Sequence, residues 1–151
     1  MADRPLFTAR YRVYWSETDA ALMMHFSNFF RVCERTEEEF LASLGLSQVG
    51  EPGKRIIMPR VRAECNYKSP LRPGDLYRVD IVDIVIGRSS LTYSYRIYNE
   101  TRGAISAECN IVAVTYDESK GSSVAVPAYL KEKLLSMGAR LRSDVAESAT
   151  A

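Results

Sequence analysis

Asp19 and His25 stand a few residues apart near the start of the chain, and His25 is its only histidine. A carboxylate can attack an activated carbonyl or take a proton from water, and an imidazole can also accept that proton. Ser16-Glu17-Thr18-Asp19-Ala20 closes a strand-like pattern, and Met24-His25-Phe26-Ser27-Asn28-Phe29-Phe30 opens a helical one. The two groups therefore flank the start of a helix, where backbone N–H groups without intrahelical partners gather. Such a corner can activate a nucleophile and hold the negative charge that develops on a carbonyl oxygen. An aspartate before a helix is also an ordinary turn or capping residue. From residue types alone, that plainer role is the more common one.

The elements around this corner follow from periodicity. Phe7, Ala9, Tyr11, Val13 and Trp15 alternate with Thr8, Arg10, Arg12, Tyr14 and Ser16, which predicts a half-buried strand. From Asn28 to Leu44 the pattern is helical, with Phe29, Phe30, Val32, Cys33, Phe40, Leu41 and Leu44 on one broad apolar face. Ser27 or Asn28 is expected as N-cap, and Gly45 suits the end. Glu51-Pro52-Gly53-Lys54 reads as a loop, followed by a strand containing Val61, Ala63, Cys65 and Tyr67. After the turn Ser69–Asp75, Leu76 to Ile86 is strand-like, with a phase slip at Ile81-Val82 that predicts a β-bulge. Leu91 to Ile97 and Ile105 to Tyr116 give two more strands, and a short helix starts at Pro127. One long helix followed by closely spaced strands argues an α+β fold with a mainly antiparallel sheet of about five strands. The expected organisation is one domain over residues 1–138 and a flexible polar tail over 139–151.

Bulk properties narrow the partners. The chain has 151 residues, 46% apolar and 26% charged, with a formal net charge of +1. That leaves no electrostatic footprint for nucleic acid. No apolar run is long enough to span a bilayer, and Met1–Pro5 lacks signal-peptide character, so a cytoplasmic protein with no membrane partner is expected. Cys33, Cys65 and Cys109 read as reduced core residues. No close-spaced pair supports a metal site, and neither metal nor cofactor is expected.

Asp19, the loop to His25, and Asn28-Phe29-Phe30-Arg31-Val32-Cys33-Glu34-Arg35 resemble the hotdog-fold acyl-CoA thioesterases, most closely the 4-hydroxybenzoyl-CoA thioesterase and YbgC-like group. Asn66–Asp75 resembles that family's strand-to-strand corner, Gly87-Arg88-Ser89-Ser90-Leu91 its substrate-side turn, and Ala104 through Pro127 its last strand and closing segment. The resemblance runs from Phe7 to Leu135. It implies a sheet wrapped around a central helix, homodimers that can pair into homotetramers, and hydrolysis of an acyl-CoA at sites on the dimer interface. Coenzyme A would then be part of the substrate rather than a cofactor.

The resemblance also assigns roles. The family's aspartate corresponds to Asp19, acting as nucleophile or general base, and the oxyanion donors lie around His25 and Phe26. The family's histidine falls one position later, where this chain has Phe26, and glycine is usual in the loop that is here Ala21-Leu22. His25 therefore either lines the site or orients the loop backbone. Trp15, Met23, Met24, Phe26, Phe29 and Tyr67 are candidates for an acyl pocket. Arg60, Lys68, Arg72 and Arg88, with Ser89 and Ser90, are candidates for the phosphates of coenzyme A. Glu37 falls inside the apolar arc of the helix, where a buried ion pair with Arg31, Arg60 or Arg62 is the preferred account. A hotdog enoyl-CoA hydratase and a non-catalytic acyl-CoA or acyl-carrier binding module are the alternatives, since one fold hosts several functions.

Overall fold

The computed structural model describes residues 4–46 and 56–145. The loop at Glu51–Lys54 and residues 146–151 of the expected tail lie outside them. Element order is β1 (Phe7–Arg12), α1 (Ser27–Ser43), β2 (Ile56–Ile57), β3 (Arg60–Tyr67), β4 (Leu76–Ile86), β5 (Ser90–Asn99), β6 (Ala104–Val114), β7 (Tyr116–Asp117), β8 (Ser122–Ser123), α2 (Ala128–Ser136) and β9 (Arg140–Leu141). The main sheet runs β1-β4-β5-β6-β3, with neighbours antiparallel, and β9 adds to β4 in parallel. A small second sheet joins β2, β7 and β8.

The broad apolar face of α1 explains the layering. Phe29, Val32, Cys33, Phe40 and Leu41 are buried. They join one core cluster with Tyr77, Val79, Ile81, Ile84 and Ile86 of β4, Leu91, Tyr93, Tyr95 and Ile97 of β5, and Ala107, Cys109 and Ile111 of β6. Strict alternation along β5 puts every second side chain on that core. The register of β4 against β5 shifts between Ile81 and Asp83, the bulge expected from the phase slip. The fold is thus the α+β, mainly antiparallel arrangement around one long helix that the pattern predicts, with the short pairings of β2, β7, β8 and β9 added.

Two segments depart from expectation. The first strand ends at Arg12 rather than Ser16. Val13 still pairs with the β3–β4 corner, its N–H donating to Asp75 O and its carbonyl accepting from Gly74 N–H. Then Glu17 reaches back, accepting the Tyr14 N–H at 2.9 Å, and Trp15–Glu17 winds into a 3-10 turn. The second departure is at the C-terminal end. Ala139 is buried, β9 pairs with Val85 and Ile86, and Arg140 forms an ion pair with Asp83. Arg140 and Leu141, inside the stretch expected as tail, therefore pair with the sheet, and Ala139 packs beside them.

The Pro73-Gly74-Asp75 corner is fastened by its acid. Buried Asp75 accepts the Arg72 backbone N–H at 2.9 Å, Asn99 Nδ2 at 2.8 Å and Arg102 Nε at 3.2 Å. Burial works against the charged form, but these donors outweigh it and hold the carboxyl below the usual carboxylate range. A depressed native pKa stabilises the fold fully above the unfolded value, and that contribution is lost as pH falls through the native one. Asp75→Asn is expected to cost about 1–3 kcal/mol at neutral pH. In urea titrations from neutral to acid pH, the difference between wild type and Asp75→Asn should shrink as the acid limb is entered.

Candidate active site

The loop after the 3-10 turn is closed on itself by aspartate chemistry. Thr18 and Met24 form an antiparallel bridge. Inside it, Asp19 N–H donates to Met23 O at 2.9 Å, Leu22 N–H donates to Asp19 O at 2.9 Å, and the Asp19 carboxylate accepts the Ala21 N–H at 2.8 Å. Asp19 thus does the work of a turn aspartate. It also lines a cavity of 380 Å³ with Met23, Met24, Phe26, Phe29, Tyr67, Lys68, Ser69 and Pro70. The two accounts of this residue are compatible, because the turn bond engages Oδ1. No partner is recorded for Oδ2 among the described residues.

The helix mouth beside it is capped by unexpected means. Phe26 precedes the first helical residue in a helical conformation, and no side chain caps it in the usual way. Instead His25 Nδ1 accepts the Ser27 N–H at 3.3 Å and lies 2.8 Å from Ser27 Oγ. His25 N–H donates to Glu17 O at 2.9 Å, and Asn28 Nδ2 reaches the same carbonyl at 2.8 Å. Asn28 N–H donates to His25 O at 2.9 Å, and Phe29 N–H to Phe26 O at 3.3 Å. Among these mouth amides, Phe26 N–H alone has no recorded acceptor within the described residues. The Phe26 carbonyl also accepts the Tyr67 hydroxyl at 3.0 Å, tying the end of β3 to the start of α1. Burial, with Cys65 adding to it, pushes that hydroxyl up to about 12, so it remains a donor at neutral pH.

The structure brings together Asp19, Met23, Met24, Phe26, Phe29, Tyr67 and Lys68, and it leaves the other candidates elsewhere. Trp15 is 77% exposed and outside the cavity, because the chain leaves the strand before reaching it. His25 is not in the cavity wall; its ring packs on Phe26 at 4.5 Å and its Nδ1 faces Ser27. Arg60 forms a bidentate ion pair with buried Glu37, the partner the apolar arc of α1 requires. Arg88, Ser89 and Ser90 lie at the far end of β4, roughly 30 Å along the strand from Leu76. There Arg88 lines a separate cavity of 430 Å³ with Lys131 and Arg142, two cations that periodicity gave no reason to single out. Ser69 and Pro70, both in the Asn66–Asp75 corner, also line the Asp19 cavity, a placement that no local spacing signals. Among the described residues, no His, Cys, Asp and Glu cluster could hold a metal ion, and no helix is long and apolar enough to cross a membrane.

Asp19 and Phe26, whose N–H has no acceptor among the described residues, line one largely apolar cavity, and a carboxylate and a free backbone donor are the two groups an activated carbonyl needs. Comparison with known proteins bears on which carbonyl. The family model described as the thioesterase-like superfamily matches residues 13–134. A relative from Aquifex aeolicus, provisionally named an esterase, is 32% identical over 130 residues, 85% of this chain and 97% of that protein. The 1,4-dihydroxy-2-naphthoyl-CoA hydrolase of Thermosynechococcus vestitus is 32% identical over 101 residues, 66% of this chain and 69% of that protein. A hypothetical protein of Staphylococcus aureus, solved in complex with CoA, superposes with a TM-score of 0.78 at 18% identity, covering 91% of this chain and 85% of that one.

The tip of the Asp19 loop carries a conformational cost. Leu22 has φ of 57°, among the described residues the one non-glycine with positive φ, and its side chain is 54% exposed. This is the stretch where glycine is usual in the resembling family. Leu22→Gly is expected to raise stability by about 0.5–1 kcal/mol, since relief of left-handed strain exceeds the added chain entropy. Leu22→Ala, which keeps a Cβ, should gain nothing. Chemical denaturation of the two variants beside wild type checks the pair.

Proposed function

The chain belongs to the thioesterase-like superfamily, and from that premise we propose that it hydrolyses an aromatic acyl-CoA to the free acid and CoA at the Asp19 cavity. The observation that carries this is the cavity of 380 Å³ lined by both Asp19 and Phe26, the residue at the mouth of α1 whose N–H has no acceptor among the described residues. The thioester carbonyl oxygen would accept the Phe26 N–H as it becomes an oxyanion, a contact of a kind typically contributing about 2.7–4 kcal/mol. Asp19 would either attack the carbonyl carbon or take a proton from the attacking water. With Asp19 as base, water forms the new C–O bond as the C–S bond breaks. With Asp19 as nucleophile, its carboxylate forms that bond first, and water then hydrolyses the resulting mixed anhydride, restoring Asp19. In both routes the thiolate takes up a proton and leaves as CoA.

Met23, Met24, Phe29 and Tyr67 give the acyl group an apolar, partly aromatic wall. Relatives that act on 1,4-dihydroxy-2-naphthoyl-CoA favour a fused aromatic acyl group over the single 4-hydroxybenzoyl ring. A hydratase would need Asp19 and His25 on one substrate. The engagement of His25 with Ser27 and Phe26 argues against that role.

A second copy of the chain completes this account. β3 is a terminal strand with an open edge, and Val61 on it is 61% exposed. Two copies joined antiparallel through β3 would set the Tyr67 end of one beside the Arg60 end of the other. The Arg88–Ser90 turn lies at that Arg60 end, so the second copy would offer its Arg88, Lys131 and Arg142 to the phosphates of a CoA whose thioester reaches Asp19. The full unit is then a homodimer with both β3 edges paired, and two such dimers would associate through other faces into a tetramer.

Asp19→Asn is expected to lower thiol release from aromatic acyl-CoA substrates roughly 10²–10⁴-fold without loss of folding. Unchanged turnover in the folded variant would refute the assignment. Arg142→Gln should raise KM for the acyl-CoA roughly tenfold and leave the matching acyl-pantetheine, which lacks the nucleotide phosphates, unaffected. Steady-state assays on the two thioesters make the comparison.

A further inference from the structure

We propose that Arg72 is a positioning residue for Asp19, gripping the tip of the Thr18–Met24 loop so that the carboxylate keeps its place in the cavity wall; this rests on the thioester-hydrolase assignment. Arg72 Nη1 donates to Ala21 O at 3.2 Å and to Leu22 O at 3.3 Å. The N–H groups of these same two residues hold Asp19 from the other side, Ala21 on Oδ1 and Leu22 on the backbone carbonyl. The tip is therefore bonded inward to Asp19 and outward to Arg72. The coupling is direct at one peptide. The guanidinium polarises the Ala21 C=O, whose peptide partner is the Leu22 N–H that donates to Asp19 O, and bonds in such a chain strengthen one another.

The grip has an adversary in Leu22, whose left-handed backbone favours rearrangement of the tip. It also has a firm base. The Arg72 backbone N–H is bonded to buried Asp75, which Asn99 and Arg102 hold in turn. Met24 N–H donates to Leu71 O at 2.7 Å, fixing the foot of the loop to the residue beside Arg72. With foot and tip both bound to one rigid corner, the Asp19 carboxylate has little room to swing. The Arg72 side chain is exposed, so replacing it leaves the core intact.

The test uses the full chain with Arg72→Gln and Arg72→Lys, read two ways. Amide hydrogen exchange at Ala21 and Leu22 is expected to quicken in Arg72→Gln, with Asp75-bonded amides unchanged. In steady-state thioester hydrolysis kcat should fall roughly 10- to 100-fold with KM little changed, because a small misplacement of a reacting group costs rate rather than affinity. Arg72→Lys should recover part of the rate, since an ammonium restores a donor without the fixed guanidinium plane. A rise in KM at constant kcat would make Arg72 a substrate-phosphate contact and overturn the proposal, as would unchanged exchange at Ala21 and Leu22. Should the wild type turn over no thioester, the hydrolase assignment fails, and the exchange measurement still decides whether Arg72 holds the loop.

Discussion

Burial of α1 within the curved sheet is the constraint on which the remaining geometry rests. The helix hides not only Phe29, Val32, Cys33, Phe40 and Leu41 but also Thr36 and Glu37, so the sheet must cover much of its circumference. A helix covered that far cannot slide along its axis without exposing aromatic surface or stranding a buried charge. Glu37 sharpens this, since its bidentate bond to Arg60 of β3 allows one axial position. Fixing the axis fixes the mouth. The Phe26 N–H is then delivered beside the Asp19 loop by packing some distance away, and a preorganised donor of that kind needs no rearrangement when charge develops.

The two ends of the sheet divide the labour. At the Leu76 end stand Asp19, the helix mouth and the buried Asp75 corner. At the Ile86 end stand the Arg88 turn and the cations Lys131 and Arg142, with β9 holding the C-terminal segment against β4. Gly87 shows how closely that end is packed, since a Cβ there would sit 2.5 Å from Ser90 Oγ and 3.1 Å from Arg142 Nε. The two sets of residues cannot meet within one chain, because the length of β4 separates them. An antiparallel pairing of open β3 edges is the simplest operation that reverses one end against the other, which ties the proposed dimer to the proposed substrate rather than to stability alone.

Periodicity resolved most of the fold because its signals are local and strong. The helix, the five long strands and the bulge at Val82 each follow from spacing over a short window. It failed where one side chain bonds a nearby backbone group. Alternation carries Trp15 onto the core face, but a single Glu17 carboxylate on the Tyr14 N–H ends the strand pattern first. Ser27 and Asn28 both look like caps, yet the His25 ring caps the helix and Asn28 instead reaches Glu17 O. Arg60 looked free for a phosphate, although the same sequence reading that placed Glu37 in the apolar arc already demanded a cation for it. That pairing was legible once the two residues were considered together. Arg142 was not, because neither periodicity nor the family pattern extends over its short segment.

The corner after β3 is the part of the site that looks least like one. Asp75 touches no cavity residue's reactive atom, yet its bonds decide the conformation of Arg72, and Arg72 meets the loop tip that holds Asp19. Asp19 itself is half-buried on a short loop with a strained tip, a poor platform for a group that must be placed to within a fraction of an ångström. Rigidity therefore has to be imported from an element that is already over-determined. A buried carboxylate with three donors is such an element. The acid at the corner and the acid in the cavity are in this sense one system. The first is held charged and immobile so that the second, accessible from the cavity, can stay in register with the helix mouth.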